Sequence, residues 1–494
     1  MNSNQIVLVN PNQMKPVVAP LALDYLSQTL TPAGFKVDIL DLAFDDDYED
    51  KVANYFAQNA PLAIGVTIRN TDDCYFATQD FVLSKTKQIL DEIKKHSNAP
   101  IALGGVAFSA MPEAIMRYLD VDFGIVGEGE LALPKFLNCL RTDGNFSNVP
   151  GLVYKTTAGY RRNPVEYLNL NEVSLSSRGA IDNLRYFTEG GMAGFETKRG
   201  CNQGCAYCLD PISKGRKIRM RQPQDVADEL ECLLDMGITH FHTCDSEFNI
   251  PEHHAQAVCE ELVRRKLGER IQWYAYASPI PFTDNLAQLM KKAGCVGIDF
   301  GVDHGNDEML KRLGRNFCAD DLKRTAQICH KHGVTFMYDL LLGGPGETQA
   351  TLKETIDLMK KMRPSRVGVA LGMRIYSGAE MGRRVREITT MNFNAQTSED
   401  CEKSLHLIKG RINSIHGRIE GNPDFLEPVF YLSAELGDEP VDYVASLISN
   451  DEMFFFASPG EAGQDYNYNE NSALVQAIRA GYRGAFWDIL RRYH

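Results

Sequence analysis

The stretch Arg199-Gly200-Cys201-Asn202-Gln203-Gly204-Cys205-Ala206-Tyr207-Cys208 puts three cysteines in one short loop with the spacing CxxxCxxC. Three thiolates this close in sequence can wrap one face of an iron–sulfur cubane and leave its fourth iron without a cysteine. A structural zinc would need a fourth ligand and usually shows a second paired motif, and nearby Cys232, Cys244 and Cys259 have no comparable spacing. Beyond the loop, helical patterns end at Met236-Gly237, Leu267-Gly268, Ala293-Gly294 and His332-Gly333, and each time the chain resumes as an apolar, β-branched or aromatic run. Strands are expected near 195–198, 239–244, 271–276, 296–301, 335–341 and 366–372. Six such units fall short of the eight in a closed barrel, so 191–395 reads as a partial (β/α)6 barrel. The cysteine loop then lies at the carboxyl end of its first strand, where barrel enzymes keep their active sites.

Upstream, residues 1–145 alternate short apolar strands (Ile6–Val9, Val37–Leu42, Ala63–Ile68, Ile101–Leu103, Phe123–Val126) with helical stretches. That alternation implies a doubly wound parallel sheet, so the fold class is α/β. Ligands of such sheets bind outside the carboxyl ends of the strands. That edge carries Asn10-Pro11, Arg69-Asn70, Gly104-Gly105-Val106 and Gly127-Glu128-Gly129-Glu130. No GxGxxG follows the first strand and no GxxxxGK[ST] occurs, which removes the main support for a dinucleotide or P-loop site. Residues 146–190 lack periodicity and read as a linker. Residues 396–494 read as a small C-terminal α+β domain, with Asp465-Tyr466-Asn467-Tyr468-Asn469 and Gly484-Ala485-Phe486-Trp487-Asp488 as aromatic segments that would close over the barrel mouth or fill a small core.

Length and composition agree with two or three globular domains: the chain has 494 residues, 44% hydrophobic and 24% charged. With 52 Lys+Arg against 65 Asp+Glu the formal charge is -13, which disfavours nucleic acid and leaves small molecules, lipids and peptides as substrates. No apolar run reaches membrane-spanning length, and no basic stretch precedes an apolar one at the N-terminus, so the expected location is cytoplasmic. Twelve cysteines in such a chain point to free thiols and metal ligation.

With these residues in view, the barrel resembles the radical S-adenosylmethionine superfamily, whose CxxxCxxC with an aromatic before the last cysteine holds a [4Fe-4S] cluster. The resemblance assigns Cys201, Cys205 and Cys208 to the cluster. It places Asp245 or Glu247, in Thr243-Cys244-Asp245-Ser246-Glu247, where the family's GGE motif binds the amino group of S-adenosylmethionine. It puts Ser278 at the ribose and Asp303, with Gly343–Thr348, along the strand ends that line the site. His304 reads as a surface or capping residue. The N-terminal domain resembles the cobalamin-binding domain that precedes the barrel in B12-dependent members. Asn10, Arg69, Gly104, Gly105, Val106, Gly127, Glu128 and Glu130 are its expected cobalamin contacts. The DxHxxG motif is absent, so cobalamin would bind without protein imidazole on cobalt. Arg69 would lie beneath the corrin, where a guanidinium has no lone pair to offer; the alternative is a surface salt bridge to Asp72 or Asp73.

The resemblance implies methyl transfer from S-adenosylmethionine through methylcobalamin to a carbon centre, supported by an external electron donor such as a flavodoxin or ferredoxin. Other outcomes within the family are a cyclisation or rearrangement without methyl transfer, and a tryptophan-type methylation that abstracts no substrate hydrogen. An iron–sulfur electron-transfer or binding protein is the reading from another class.

Overall fold

The computed structural model describes residues 4–386, 422, 424–456 and 468–493, apart from 46, 143, 174 and 176. The N-terminal apolar runs become the parallel strands β1 (Gln5–Asn10), β2 (Lys36–Asp41), β3 (Ala63–Thr67), β4 (Ile101–Gly104) and β5 (Phe123–Ile125), in the order β2-β1-β3-β4-β5. This is the flavodoxin-like order, with its ligand crevice at the switch point beside β1 and β3. Ile6 and Leu8 of β1 enter one core layer and Val7 and Val9 the other, as a sheet covered by helices on both faces requires.

The linker expected over 146–190 is instead partly regular. β6 (Leu152–Thr156) and β7 (Gly159–Arg162) form an antiparallel hairpin that extends the sheet past β5. Only Leu152 and Val153 of this hairpin are buried, so an edge ribbon with one apolar step leaves no periodic signal. The helix Asn183–Gly190 follows, capped by the Asp182 side chain on the Arg185 amide.

The barrel opens with β8 (Ala193–Phe195). The antiparallel pair β9 (Lys198–Arg199) and β10 (Arg219–Met220) then ties the cysteine loop into a hairpin. The wall continues through β11 (His240–Thr243), β12 (Gln272–Ala277), β13 (Cys295–Asp303), β14 (Phe336–Leu342) and β15 (Arg366–Leu371). β16 (Met373–Arg374) pairs antiparallel with β17 (Phe430–Tyr431), and β18 (Phe454–Phe455) joins the barrel sheet beside β15. The six expected strands are present and the sheet has a seventh, in the order β8-β11-β12-β13-β14-β15-β18.

That seventh strand changes the reading of the C-terminal region. The described part of 396–494 builds no sheet of its own: Phe454 belongs to the barrel core, and the helix Ser472–Arg479 packs on Asn183–Gly190. The boundary at 395/396 and the segment Asp465-Tyr466-Asn467 lie outside the described residues.

A buried ionic network locks the two sheets together. Arg178 donates to Asp24 of the helix Leu21–Leu30 (2.8 Å), to Glu229 of the helix Pro223–Asp235 (2.8 Å), to Asn183 (2.9 Å) and to the Gly194 carbonyl (2.9 Å). Arg178, Asp24 and Glu229 side chains are all 0% exposed. No helix among the described residues is long and apolar enough to cross a membrane.

Candidate active site

The cysteine loop has its shape because Gly200 takes φ +99 and passes so close to the turn before β10 that a Cβ would lie 2.3 Å from the Lys217 carbonyl. The Cys201 amide donates to Gly215 O (2.9 Å) and the Ala206 amide to Leu313 O (2.9 Å), strapping the loop at both ends. Cys201 is buried, Cys205 and Cys208 are half-buried, and all three are free thiols. Burial pushes Cys201 up to about 11 and Cys208 up to about 12, and it raises Cys205 as well. Cys205 acts electrostatically on both Cys201 and Cys208, and Cys201 on Cys208, as three sulfurs on one short loop would. Thiols held protonated in this way become ligands when a metal centre supplies positive charge. Among the described residues no three His, Cys, Asp or Glu side chains converge on a single ion. Three cysteines on one strapped loop are the ligand type and number that an iron–sulfur cluster with one iron left open would take.

Around the loop, the two carboxylates left open by sequence separate cleanly. Asp245 accepts from the Thr197 amide (2.8 Å), the Thr197 hydroxyl (2.5 Å) and the Lys198 ammonium (3.0 Å). Burial alone would raise its carboxyl, but Lys198 and Thr197 outweigh burial and hold it below the usual range. Glu247 instead turns to the cysteines: its charge acts on Cys201 and Cys205, and burial pushes it up to about 7 against the opposing pull of Arg315. Asp303 closes the ring. It has φ +61, a conformation that costs a non-glycine residue about 1–3 kcal/mol and is kept only where neighbours enforce it. Tyr207, the aromatic before the last cysteine, donates its hydroxyl to Asp303 at 2.8 Å, and Arg315 Nε lies 3.5 Å from it. Ser278 is buried after β12, its amide and carbonyl clasped by Asn249 (2.9 and 2.8 Å). His304, expected near the surface, is 0% exposed: it bonds Glu347 (2.9 Å), which in turn accepts from the Gly344 amide (3.1 Å) and so fixes the Gly343–Thr348 turn.

Opposite the barrel mouth stands the edge of the first sheet. Gly105 takes φ +103, and a Cβ there would lie 2.5 Å from the Ile68 carbonyl, so the turn packs onto the end of β3. Gly104 has open space before it and Val106 is 48% exposed, which makes a flat shelf next to Arg69. Arg69 is itself exposed and pairs with neither Asp72 nor Asp73 in any described ion pair; Asp72 is held by Arg374 at 2.9 Å. Protein surrounds it nonetheless. Desolvation lowers its pKa. An open, flat shelf with one unpaired cation fits a corrin face.

The remaining edge residues are placed differently from expectation. Glu128 accepts from Arg199 (3.3 Å), Arg219 and the Leu168 amide (2.7 Å), while Glu130 accepts from Arg199 (2.7 Å). These carboxylates therefore bridge to the strand that carries the cysteine loop. The Asn10 amide donates to Asp41 (3.0 Å) and Tyr186 (2.9 Å) and is 2% exposed. Gly127 takes φ +86, with its amide on the Ser109 hydroxyl (3.0 Å).

Between shelf and cluster loop lies the barrel lumen. Alternate strand residues such as Phe241, Trp273, Ile298 and Tyr338 pack outward into the helix-covered core, which leaves His242, Tyr276, Asp299 and Asp339 on the inner face. The His242 and Tyr276 rings lie 4.6 Å apart, and Tyr276 is 46% exposed. Asp299 is 4% exposed, and its Oδ1 has no hydrogen-bond partner. Burial and Glu247 raise the Asp299 carboxyl; burial, Asp299 and Asp303 raise that of Asp339. The far end of the lumen is sealed by Tyr274, Met337, Ala485 and Trp487. Among the described C-terminal aromatics, Trp487 thus closes the floor of the barrel and not its mouth, and Gly297 leaves room there, since a Cβ would meet Tyr274 at 2.7 Å and Trp487 at 3.1 Å. Asp299, Asp339 and Arg315 carry no motif in the sequence. The usable signal for the two aspartates was an acidic residue inside an otherwise apolar barrel strand.

Comparison with known proteins places the chain in a family. The model of the B12 binding domain matches residues 11–137 and that of the radical SAM superfamily matches 195–359. The chain is 30% identical to the tryptophan 2-C-methyltransferase of Streptomyces laurentii, over 99% of this chain and 96% of that protein. It superposes with TM-score 0.89 and 30% identity on the radical S-adenosylmethionine methyltransferase TsrM from Kitasatospora setae, solved with tryptophan and aza-SAM, covering 99% of this chain and 98% of the other. A second structure of TsrM contains cobalamin and a [4Fe-4S] cluster. OxsB, a cobalamin-dependent S-adenosylmethionine radical enzyme, shares the fold at 20% identity and TM-score 0.67, over 87% of this chain and 64% of its own. The chain belongs to the cobalamin-dependent radical S-adenosylmethionine methyltransferases: it is a C-methyltransferase of a small molecule, with cobalamin, a [4Fe-4S] cluster and S-adenosylmethionine as its cofactors.

Proposed function

We propose that this methyltransferase acts on tryptophan or a closely related indole-bearing amine, held in the barrel lumen. The observation that carries this reading is the end-to-end likeness to a tryptophan 2-C-methyltransferase, 30% identity over 99% of the chain. The lumen supports it physically. Two aromatic rings, His242 and Tyr276, offer faces to an indole, and the raised carboxyls of Asp299 and Asp339 would ionise against a ligand ammonium and accept its N–H groups. A buried carboxylate oxygen without a partner is costly, and a ligand N–H would satisfy it.

The cofactors, when bound, supply the methyl group, the cobalt that relays it and the electron that restores the relay. The residues do the rest. Cys201, Cys205 and Cys208 hold the cluster on the strapped loop, and Glu247, not Asp245, is the carboxylate that reaches the cluster side of the site. Arg69 would face the corrin and has no lone pair to offer cobalt, while Gly104, Gly105 and Val106 would give the ring a seat. Asp303 and Ser278 line the path of S-adenosylmethionine along the strand ends. A flavodoxin or ferredoxin serves as electron donor, and the eleven free thiols described suit the reducing cytoplasm.

Equilibrium binding tests the substrate reading. L-tryptophan and tryptamine should bind the holoenzyme, and Asp299→Asn should weaken both at least tenfold while leaving indole-3-propionate unchanged. Equal affinities of parent and variant for all three compounds would refute the assignment.

A further inference from the structure

Arg315 reaches the cysteine loop from the opposite wall of the barrel. It follows Gly314 (φ +76) at the turn that ends the helix Asp307–Arg312. Its side chain is 6% exposed. Nη1 donates to Cys205 Sγ at 2.9 Å and Nη2 to the Gly301 carbonyl. Nε lies 3.5 Å from Asp303 Oδ2, Nη2 lies 3.9 Å from Glu247 Oε1, and the Phe317 ring lies 4.8 Å from the guanidinium carbon. These contacts involve all three guanidinium nitrogens and fix its orientation, with one arm on sulfur and the others toward β13 and Glu247. Among the described residues no other basic side chain donates a hydrogen bond to a cysteine of the loop.

A cluster held by thiolates becomes more negative when it is reduced. Hydrogen bonds to its sulfurs and nearby positive charge favour the reduced form and raise the potential. In a buried site that effect is weakly screened. Without Arg315 the sulfur would lose a charged donor and would also face the Asp303 and Glu247 carboxylates uncompensated. We propose that Arg315 is a positioning residue that sets the reduction potential of the [4Fe-4S] cluster through its hydrogen bond to Cys205. The inference rests on the assignment of the three cysteines to the cluster and is independent of the substrate.

The test is an EPR-monitored redox titration of the reconstituted full chain, with dithionite as the one-electron donor; one electron passes to the cluster and no bond forms or breaks. Arg315→Gln keeps a donor but removes the charge, and Arg315→Lys keeps the charge but removes the fork. With equal iron and sulfide content, Arg315→Gln should lower the equilibrium constant for reduction at least tenfold, about 59 mV for a one-electron couple. Arg315→Lys should recover part of that loss. A potential unchanged in Arg315→Gln, or equally low in both variants, overturns the proposal. So does failure of both variants to hold a cluster, because Arg315 would then be a strut for the loop. Absence of a cluster from the parent protein would refute the cysteine assignment itself, a result distinct from the others.

Discussion

Replacing Arg178 by Leu should weaken the whole molecule, because it leaves Asp24 and Glu229 buried without the cation between them. Breaking a buried pair by removing one partner costs about 3–5 kcal/mol. The structure favours the lower end. Asp24 would still accept from the Ala180 and Ile181 amides (2.9 and 3.2 Å) and Asn183 (2.8 Å), and Glu229 would keep Arg221 and the Tyr25 hydroxyl (2.8 Å). A loss of about 3 kcal/mol follows. Both tryptophans, Trp273 and Trp487, sit in the barrel, so their fluorescence follows its unfolding in urea. Because Arg178 and Glu229 reach the barrel while Asp24 lies on the helix Leu21–Leu30 that covers the first sheet, the transition should move to lower urea and broaden as the two units uncouple. Lys353→Ala, at an exposed ion pair with Asp357, is the control and should leave the midpoint in place. Adding Asp24→Leu to Arg178→Leu should recover part of the loss, since one stranded charge goes with it. A midpoint for Arg178→Leu as close to the parent as that of the control would refute the argument that this network couples the sheets.

Three further outcomes are expected. Burial lowers His242 to about 4, so the unfolded chain binds the extra proton between pH 6.5 and 4. Stability should therefore fall with pH through that window by up to about 3 kcal/mol from this group, and His242→Gln should flatten the profile in urea titrations at fixed pH steps; an unchanged slope would contradict it. Arg69→His should introduce nitrogen coupling in the cob(II)alamin EPR spectrum and slow turnover more than Arg69→Leu, with cobalamin retained in both; parent-like spectra and rates in both would remove Arg69 from the corrin. Changing Cys201, Cys205 and Cys208 together to Ala should abolish the cluster absorption, and a surviving cluster would refute the ligand set.

Most of the architecture was legible because its signals are local. Glycines after each helix mark the βα units, and three cysteines in one loop mark the metal chemistry at the right strand end. What was missed depends on contacts far apart in sequence. β18 is two residues long and gains its place only by lying beside Val367 and Gly368. The hairpin at 152–162 buries a single apolar step. The choice between Asp245 and Glu247 is made by Lys198, and the placing of Glu128 and Glu130 by Arg199 and Arg219, none of which a linear motif reveals. Arg315 has no signature at all, since its partner Cys205 lies 110 residues away.

The reaction proposed for this enzyme is carbon methylation of an indole-bearing amine. The direct measurement is to incubate the anaerobically reconstituted holoenzyme with S-adenosylmethionine deuterated at its methyl group, a reductant and L-tryptophan, and to follow products by mass spectrometry and NMR. The expected product is a tryptophan derivative carrying one intact trideuteromethyl group on a ring carbon, formed in proportion to S-adenosylhomocysteine. S-adenosylmethionine cleavage with no methylated tryptophan, or label found only on nitrogen, would contradict it.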